Sequence, residues 1–387
     1  MQEALKNYSV IYIITKLELG GAQKVCLSLA ENIPTKNISC ILVSGGQGSL
    51  VGRARVLEKF FELSTLQREI GLGSLWRELI AFLNLIRLIG TLKREHGPII
   101  VHTHSTKAGI LGRWAAWFAG ADIIVHTIHG YGFHKHQRWL TKLLVIGIEH
   151  MTSFITDHFI CVSRSDAYEG KRRFPGFAQK YSLIRAAVSF TNFIACRPVR
   201  SLDNSFIYGT IACFKPQKNI IDSLRAFKEV YQKNPSARLE IIGDGKLRPI
   251  IESWIASEKL EYVITLYGWQ EHVAPIMARW HVFILSSLWE GLPCAIVEAR
   301  LLKLPIVCYD TGGVREIVKH GLNGFVYQQK AWQMLAQGMY LLSRNKALYK
   351  RFAMYKDKLH EFELEVMVQR HRHLYASILR KASNTQS

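Results

Sequence analysis

The chain has 387 residues with 50 Lys plus Arg against 30 Asp plus Glu, too long for one ordinary core, so two or three domains are expected. Apolar residues are 49% of the whole, which excludes a disordered or fibrous chain, and no run reaches the roughly 18 to 20 uncharged apolar residues of a spanning helix. The basic excess, with a pI near 9.7, predicts attraction to polyanions, but it is spread over both halves and excludes a nucleic-acid-binding tail.

The N-terminus, MQEALKNYSVIYIITKLELGG, carries an early acid, a short apolar run and no small-residue cleavage site, so no secretion signal is expected. The seven cysteines (Cys26, Cys40, Cys161, Cys196, Cys213, Cys294, Cys308) are odd in number and never form C-x-x-C, which points to reduced thiols, no zinc framework and a cytoplasmic protein. In chain order, β-rich apolar runs stand at 10–14, 40–44, 98–102, 123–127, 159–163 and 182–187, with an amphipathic helix from Trp76 ending in Lys, Arg and Gly. A second set stands at 206–212, 238–243, 263–268, 281–286, 305–309 and 324–327. Strands alternating with helices predict an α/β protein with parallel sheets. The aperiodic segment 186–205 reads as the interdomain linker, with a cleft expected beside it, and the segment from about residue 366 as one helix and a frayed polar tail.

Ligands of open α/β sheets bind beyond the carboxyl ends of strands, so every strand-to-loop junction is a candidate site. WEGLPCAIVEA, 289–299, places Glu290 in a strand-end loop, Pro293 in the first turn of a helix and Glu298 about two turns into it. The helix N-terminus favours phosphate, and the carboxylates accept hydrogen bonds from hydroxyls. Lys215 and Lys218 in CFKPQKN add cations, although a solvated turn would look the same. The Gly20-Gly21 pair of GGAQ and the Gly-Asp-Gly at 243–245 let backbone amides approach an anion, or simply make turns. His129 ends a strand on a Gly-rich loop. The imidazoles His102, His104, His126, His129, His134 and His136 cluster in sequence without a metal-ligand spacing, so His102, His104 and His126 are read as satisfied polar groups at strand ends. The segment 134–154, with Lys135, His136, Arg138 and Lys142 among Trp139, Leu140, Leu143, Leu144 and Ile146, fits a helix on an anionic bilayer and equally one covering a sheet; KRRF at 171–174 could add charge.

The E-G-x-x-x-x-x-x-E-A pattern from Glu290, followed by PIVCYDTGGVREIVKHGLNGFVY, resembles the donor-binding signature of retaining glycosyltransferase family 4. GGAQ, HTHSTKAGILGR, TIHGYGF, IIGDGKLRP and LYGWQ extend the likeness over nearly the full chain, and the middle motifs are similar to those of capsule, O-antigen and exopolysaccharide enzymes. The resemblance implies a GT-B fold: two Rossmann-like domains facing a central cleft, an acceptor domain at 1–190, a donor domain at 191–365 and a crossover helix and tail at 366–387. It implies a retaining hexosyltransferase-type enzyme moving a sugar from a nucleotide-diphosphate sugar to a hydroxyl of a lipid-linked or growing surface glycan. UDP-sugars are the first expectation and GDP-mannose the second. Carried over, Glu290 lies at the donor sugar with Gly291 and Leu292 beside it, Glu298 holds the ribose, Lys218 the diphosphate, and His129 stands near the reacting centre. The family's first diphosphate cation, an Arg, is replaced by Cys213, for which Lys215 is the substitute expected by a different reach. No metal or other cofactor is expected, nor a specific nucleic acid. The lipid-linked acceptors of the resembling enzymes favour a peripheral place on the inner face of an anionic membrane. A nicotinamide oxidoreductase is disfavoured because no G-x-G-x-x-G follows the first strand; a non-catalytic nucleotide-sugar or polyanion binder of the same fold is the alternative.

Overall fold

A computed structural model describes residues 7–67, 75–196, 198, 200 and 205–386. Residues 1–6 of the N-terminal segment and 197, 199 and 201–204 of the expected linker lie outside the described residues. Among the described residues there are thirteen strands: β1 Tyr8–Ile14, β2 Ile38–Ser44, β3 Phe60–Glu62, β4 Ile99–His104, β5 Ile123–Ile128, β6 His158–Cys161, β7 Tyr181–Leu183, β8 Ile207–Ile211, β9 Arg238–Ile242, β10 Ile264–Gly268, β11 Val282–Leu285, β12 Ile306–Tyr309 and β13 Gly324–Tyr327. Their central members are buried along their whole length, as strands covered by helices on both faces must be.

The chain forms two compact units, Met1–Ala187 with Leu364–Ser387, and Val188–Glu363. The first holds a seven-stranded sheet in the order β3-β2-β1-β4-β5-β6-β7, the second a six-stranded sheet in the order β10-β9-β8-β11-β12-β13. All strand pairs within both sheets are parallel. Each order reverses direction once, between β1 and β4 and between β8 and β11, so the loops leaving these strands diverge and open a crevice at each reversal.

Three local expectations need correction, and one strand had none. The edge strand β3 was not legible, because its three residues, Phe-Phe-Glu, are half-exposed and too few to show a period. Strand β7 stops at Leu183 instead of running to 187. Pro293 caps the following helix in an extended conformation (ψ 95°) instead of joining it, so Glu298 is the fifth residue of the helix Cys294–Leu301 and little more than one turn deep. The polar C-terminal segment is helical from Leu364 to Gln386, not frayed. This last helix belongs to the first unit: the Tyr375 hydroxyl lies 3.0 Å from that of Tyr12 on β1, and Arg372 donates to the Asn32 carbonyl at 2.6 Å. Among the described residues no helix is long and apolar enough to cross a membrane.

Candidate functional site

In the second unit, the two loops at the sheet reversal meet. The loop after β8 carries Lys218 and the loop after β11 carries Glu290, and their side chains form an ion pair. Backbone and amide bonds lock the loops together: Leu288 N–H donates to the Gln217 carbonyl at 2.8 Å, and the Gln217 amide donates to the Trp289 carbonyl at 2.7 Å. Below them, the Ser286 hydroxyl lies 3.0 and 2.9 Å from the carbonyls of Lys218 and Asn219, and Ser223 lies 2.8 Å from it. Asn219 takes the left-handed conformation (φ 46°), a turn that reverses the chain between Lys218 and the helix Ile220–Lys233.

A third loop, after β12, closes on the first two. Gly313 N–H donates to the Gly291 carbonyl at 2.7 Å, and at Gly312 (φ 50°) a Cβ would stand 2.2 Å from the Glu290 carbonyl oxygen. Only glycine meets both demands there. The helix Cys294–Leu301 starts beside this junction with no acid in its first turn, leaving the positive end of its dipole uncompensated from within. Leu292 is buried beneath the loop and Glu298 is buried on the helix. The Gly-Asp-Gly turn after β9 packs on the β8 loop: Phe214 N–H donates to the Asp244 carbonyl at 2.8 Å, and Asp244 pairs with Arg248 at 2.8 Å. Cys213 and Lys215 lie on the same β8 loop, joined by a Lys215 N–H to Cys213 carbonyl bond of 2.7 Å. Contacts thus bring Lys218, Glu290 and Gly291 together, with Lys215 on the same β8 loop and Leu292 and Glu298 on the loop and helix that follow Glu290.

The first unit carries the other sequence-predicted residues. Gly20 caps the helix Gly21–Asn32 after β1, again with no acid in the first turn. His129, after β5, is hydrogen-bonded through Nε2 to His104 Nδ1 at 2.9 Å, and their rings stack at 5.2 Å. Behind them His102 contacts Tyr375 and Thr127, each at 2.6 Å, and His126 Nδ1 lies 2.9 Å from the Thr103 hydroxyl. His102 is therefore satisfied as expected. His104 is not, since its Nε2 is buried with no partner. Burial holds all these imidazoles neutral: His129 is pushed down to about 3, His371 on the last helix down to about 4, and His102, His104 and His126 well below the ordinary value. A pocket beside His129 is lined by Ser105, Thr106, Tyr131, Gly132 and Phe174. The Ser105 and Tyr131 hydroxyls are buried there without partners, and Ser105 holds φ 66°, a strain that marks a constrained position. Among the described residues no three His, Cys, Asp or Glu are grouped as metal ligands.

Comparison with known proteins agrees with this division. The family description "Glycosyltransferase Family 4" matches residues 19–189 and "Glycosyl transferases group 1" matches residues 197–359. Over 321 residues, 80% of this chain and 81% of the relative, the sequence is 31% identical to an Escherichia coli UDP-Gal:alpha-D-GlcNAc-diphosphoundecaprenol alpha-1,3-galactosyltransferase. The chain is a family 4 glycosyltransferase. The enzyme is also 20% identical, over 89% of its length and 90% of the relative, to the Staphylococcus aureus capsular polysaccharide biosynthesis glycosyltransferase CapM. Its fold is GT-B, matching Anabaena HepE, solved in complex with UDP and glucose (TM-score 0.78, 16% identity, 95% of this chain and 99% of that one). Sucrose-phosphate synthase from Thermosynechococcus elongatus matches as well (TM-score 0.76, 16% identity, 97% and 100%).

Several residues that shape this glycosyltransferase's strand-end clusters were not singled out from sequence. Gln217, Asn219 and Ser286 act by bridging two loops 67 to 72 residues apart, which no local pattern reveals. Gly312 had a signal, a Gly-Gly pair in the loop that follows a strand. Ser105 and Tyr131 sit inside quoted motifs but lack a charge that would draw attention.

Proposed function

We propose that Val188–Glu363 holds a nucleotide-diphosphate sugar and that the first unit, through the Gly20-Gly21 loop and His129, holds the acceptor. The observation that carries the donor reading is the Lys218–Glu290 pair on loops meeting at a sheet reversal, next to a helix N-terminus. A cation, open backbone amides and a carboxylate in one place suit a ligand with a diphosphate at one end and hydroxyls at the other.

In this reading Glu290 accepts hydrogen bonds from the donor sugar and Glu298 from the ribose. As the glycosidic bond stretches, negative charge gathers on the leaving diphosphate, and Lys218, helped by Lys215 and the amides at Gly291 and Leu292, stabilises it more than the intact donor. His129, neutral over the whole working range, can accept or donate one hydrogen bond to a sugar hydroxyl but carries no charge to the site. Family membership supports retention of anomeric configuration. The galactosyltransferase relative and the UDP-bound fold relative support a UDP-sugar first, with GDP-mannose second, and a lipid-linked or growing surface glycan as acceptor at an anionic membrane face.

The test compares Glu290→Ala with the exposed control Glu261→Ala, measuring sugar transfer and donor hydrolysis with a panel of nucleotide sugars. Loss of about 10²-fold or more is expected for the first only. Equal activity of Glu290→Ala and the parent would refute the assignment, and donor binding without turnover by the parent would favour a non-catalytic binder.

A further inference from the structure

The helix Trp139–Phe154 is inside out. Its buried face holds Glu149, Thr152 and Ser153, while Trp139 (68% exposed), Leu140, Leu143, Leu144 (64% exposed), Met151 and Phe154 face solvent. The polar face is fixed inward by specific partners: Arg113 pairs with Glu149 at 2.7 Å, and the Trp114 indole donates to the Thr152 hydroxyl at 3.0 Å. A water-facing helix buries its apolar side. This one turns Glu149, Thr152 and Ser153 to the core beside the half-buried Val145 and Ile146, and leaves its other large apolar side chains outside.

The exposed surface continues onto two neighbours. The connections β3 to β4, β4 to β5 and β5 to β6 step the same way across the sheet, so right-handed crossovers place their helices, Leu75–His96, Thr106–Phe118 and Trp139–Phe154, in one layer on one face. Trp117 and Phe118 are exposed at the end of the middle helix, and Phe118 meets Phe82 of the first edge-on at 6.0 Å. Trp76, Leu79 and Leu83 are exposed on that first helix. An apolar face spread over three adjacent helices exceeds the scattered exposure normal for a water-soluble surface.

Charge decides between occupants. Of the three acids on these helices, Glu78 pairs with Lys107, Glu149 with Arg113, and Glu95 stands in a last turn beside His96. Lys135 and Arg138 are exposed at the start of the inside-out helix and Lys142 lies half-exposed one turn in. A second copy would bring a formal +20 against +20, whereas an anionic bilayer attracts such a rim and takes up the Trp and Leu side chains.

We infer that this three-helix face docks the first unit flat on an anionic lipid surface, with the side chains from Trp139 to Phe154 as its apolar anchor. It deepens the membrane-side reading above and rests on it. Docking would hold the acceptor-binding half where a lipid-linked glycan emerges.

The test is co-sedimentation of the full chain with vesicles of phosphatidylglycerol and phosphatidylcholine, or of phosphatidylcholine alone. The parent should bind the anionic vesicles, less so as salt rises. The triple variant Leu140→Ser, Leu144→Ser, Phe154→Ser should lose about tenfold or more in binding with unchanged thermal stability, since these side chains are exposed. Lys135→Gln with Arg138→Gln should lose the preference for anionic lipid. Parent protein that stays in the supernatant with both vesicles, or a triple variant that binds as the parent does, overturns the inference. So does a dimer in sedimentation velocity that the triple variant converts to monomer, which would give the face to a second copy. Donor hydrolysis by the triple variant, measured without vesicles, should equal the parent's, which separates failure of this surface from failure of the proposed activity.

Discussion

Six imidazoles of the first unit are held neutral by burial, and that makes its stability depend on pH. His129 is pushed down to about 3, His158 and His371 to about 4, and His102, His104 and His126 are lowered well below their ordinary value. Desolvation is the largest cause in each, and neighbouring imidazoles, together with Arg113 beside His126 and Lys381 beside His158, oppose protonation further. The unfolded chain takes up these protons below about pH 6.5 and the folded one does not, so stability is complete above that value and falls as the medium is acidified toward the folded values. Each residue contributes up to about 1.4 kcal/mol per pH unit in that window. Urea midpoints followed by first-unit tryptophans should therefore drop steeply from pH 7 to pH 5, and a flat profile would mean the imidazoles are hydrated. Little of this was legible beforehand. The motifs HTHS and TIHG show that histidines lie at strand ends, but only the parallel pairing of β4 with β5 brings His104 onto His129.

At the scale of elements, the sequence reading fails where an element is short or where its environment is set from far away. The inner strands were legible because parallel strands buried on both sides are continuous apolar runs. The Glu290 and Lys218 loops were each legible as strand ends, while the contacts between them were not, because strand order is set by crossovers. The composition of Trp139–Phe154 left two readings open; the helix packs on the first unit's core through Glu149, Val145 and Ile146 and turns Leu144 outside, an orientation that composition alone does not set. Gly312 gives a direct test of how far the three donor-side loops depend on one another. Gly312→Ala would force a side chain into the left-handed region and against the Glu290 carbonyl, at a cost of about 1 to 3 kcal/mol. The Glu290 loop can relieve the clash by moving. The expected outcome is a chain that folds with a lower melting temperature but loses donor turnover by about tenfold or more, since a small displacement of a positioning group is enough. Unchanged turnover with reduced stability would show that the β12 loop supports the fold only.

The whole molecule is two units with separate cores, and the last helix completes the first of them. Met367, Val368, His371 and Tyr375 are buried on that helix, and Tyr375 ties it to Tyr12 and His102. A chain ending at Glu363 keeps every strand of both sheets, yet it uncovers the β1 and β4 side chains that this helix protects and leaves their polar partners unpaired. The same cut removes no residue of the second unit, Val188–Glu363. Calorimetry on the full chain is expected to resolve two transitions, one of which moves up when UDP is added at about 100 times its dissociation constant, by an amount equivalent to about 2.7 kcal/mol. The truncated chain should lose the transition that UDP leaves alone and keep the one that UDP shifts. If truncation abolishes the UDP-shifted transition instead, nucleotide binding depends on the first unit and the donor assignment to Val188–Glu363 is wrong. Replacing UDP by GDP in the same experiment identifies the base, because only the nucleotide that prefers the folded unit raises its transition.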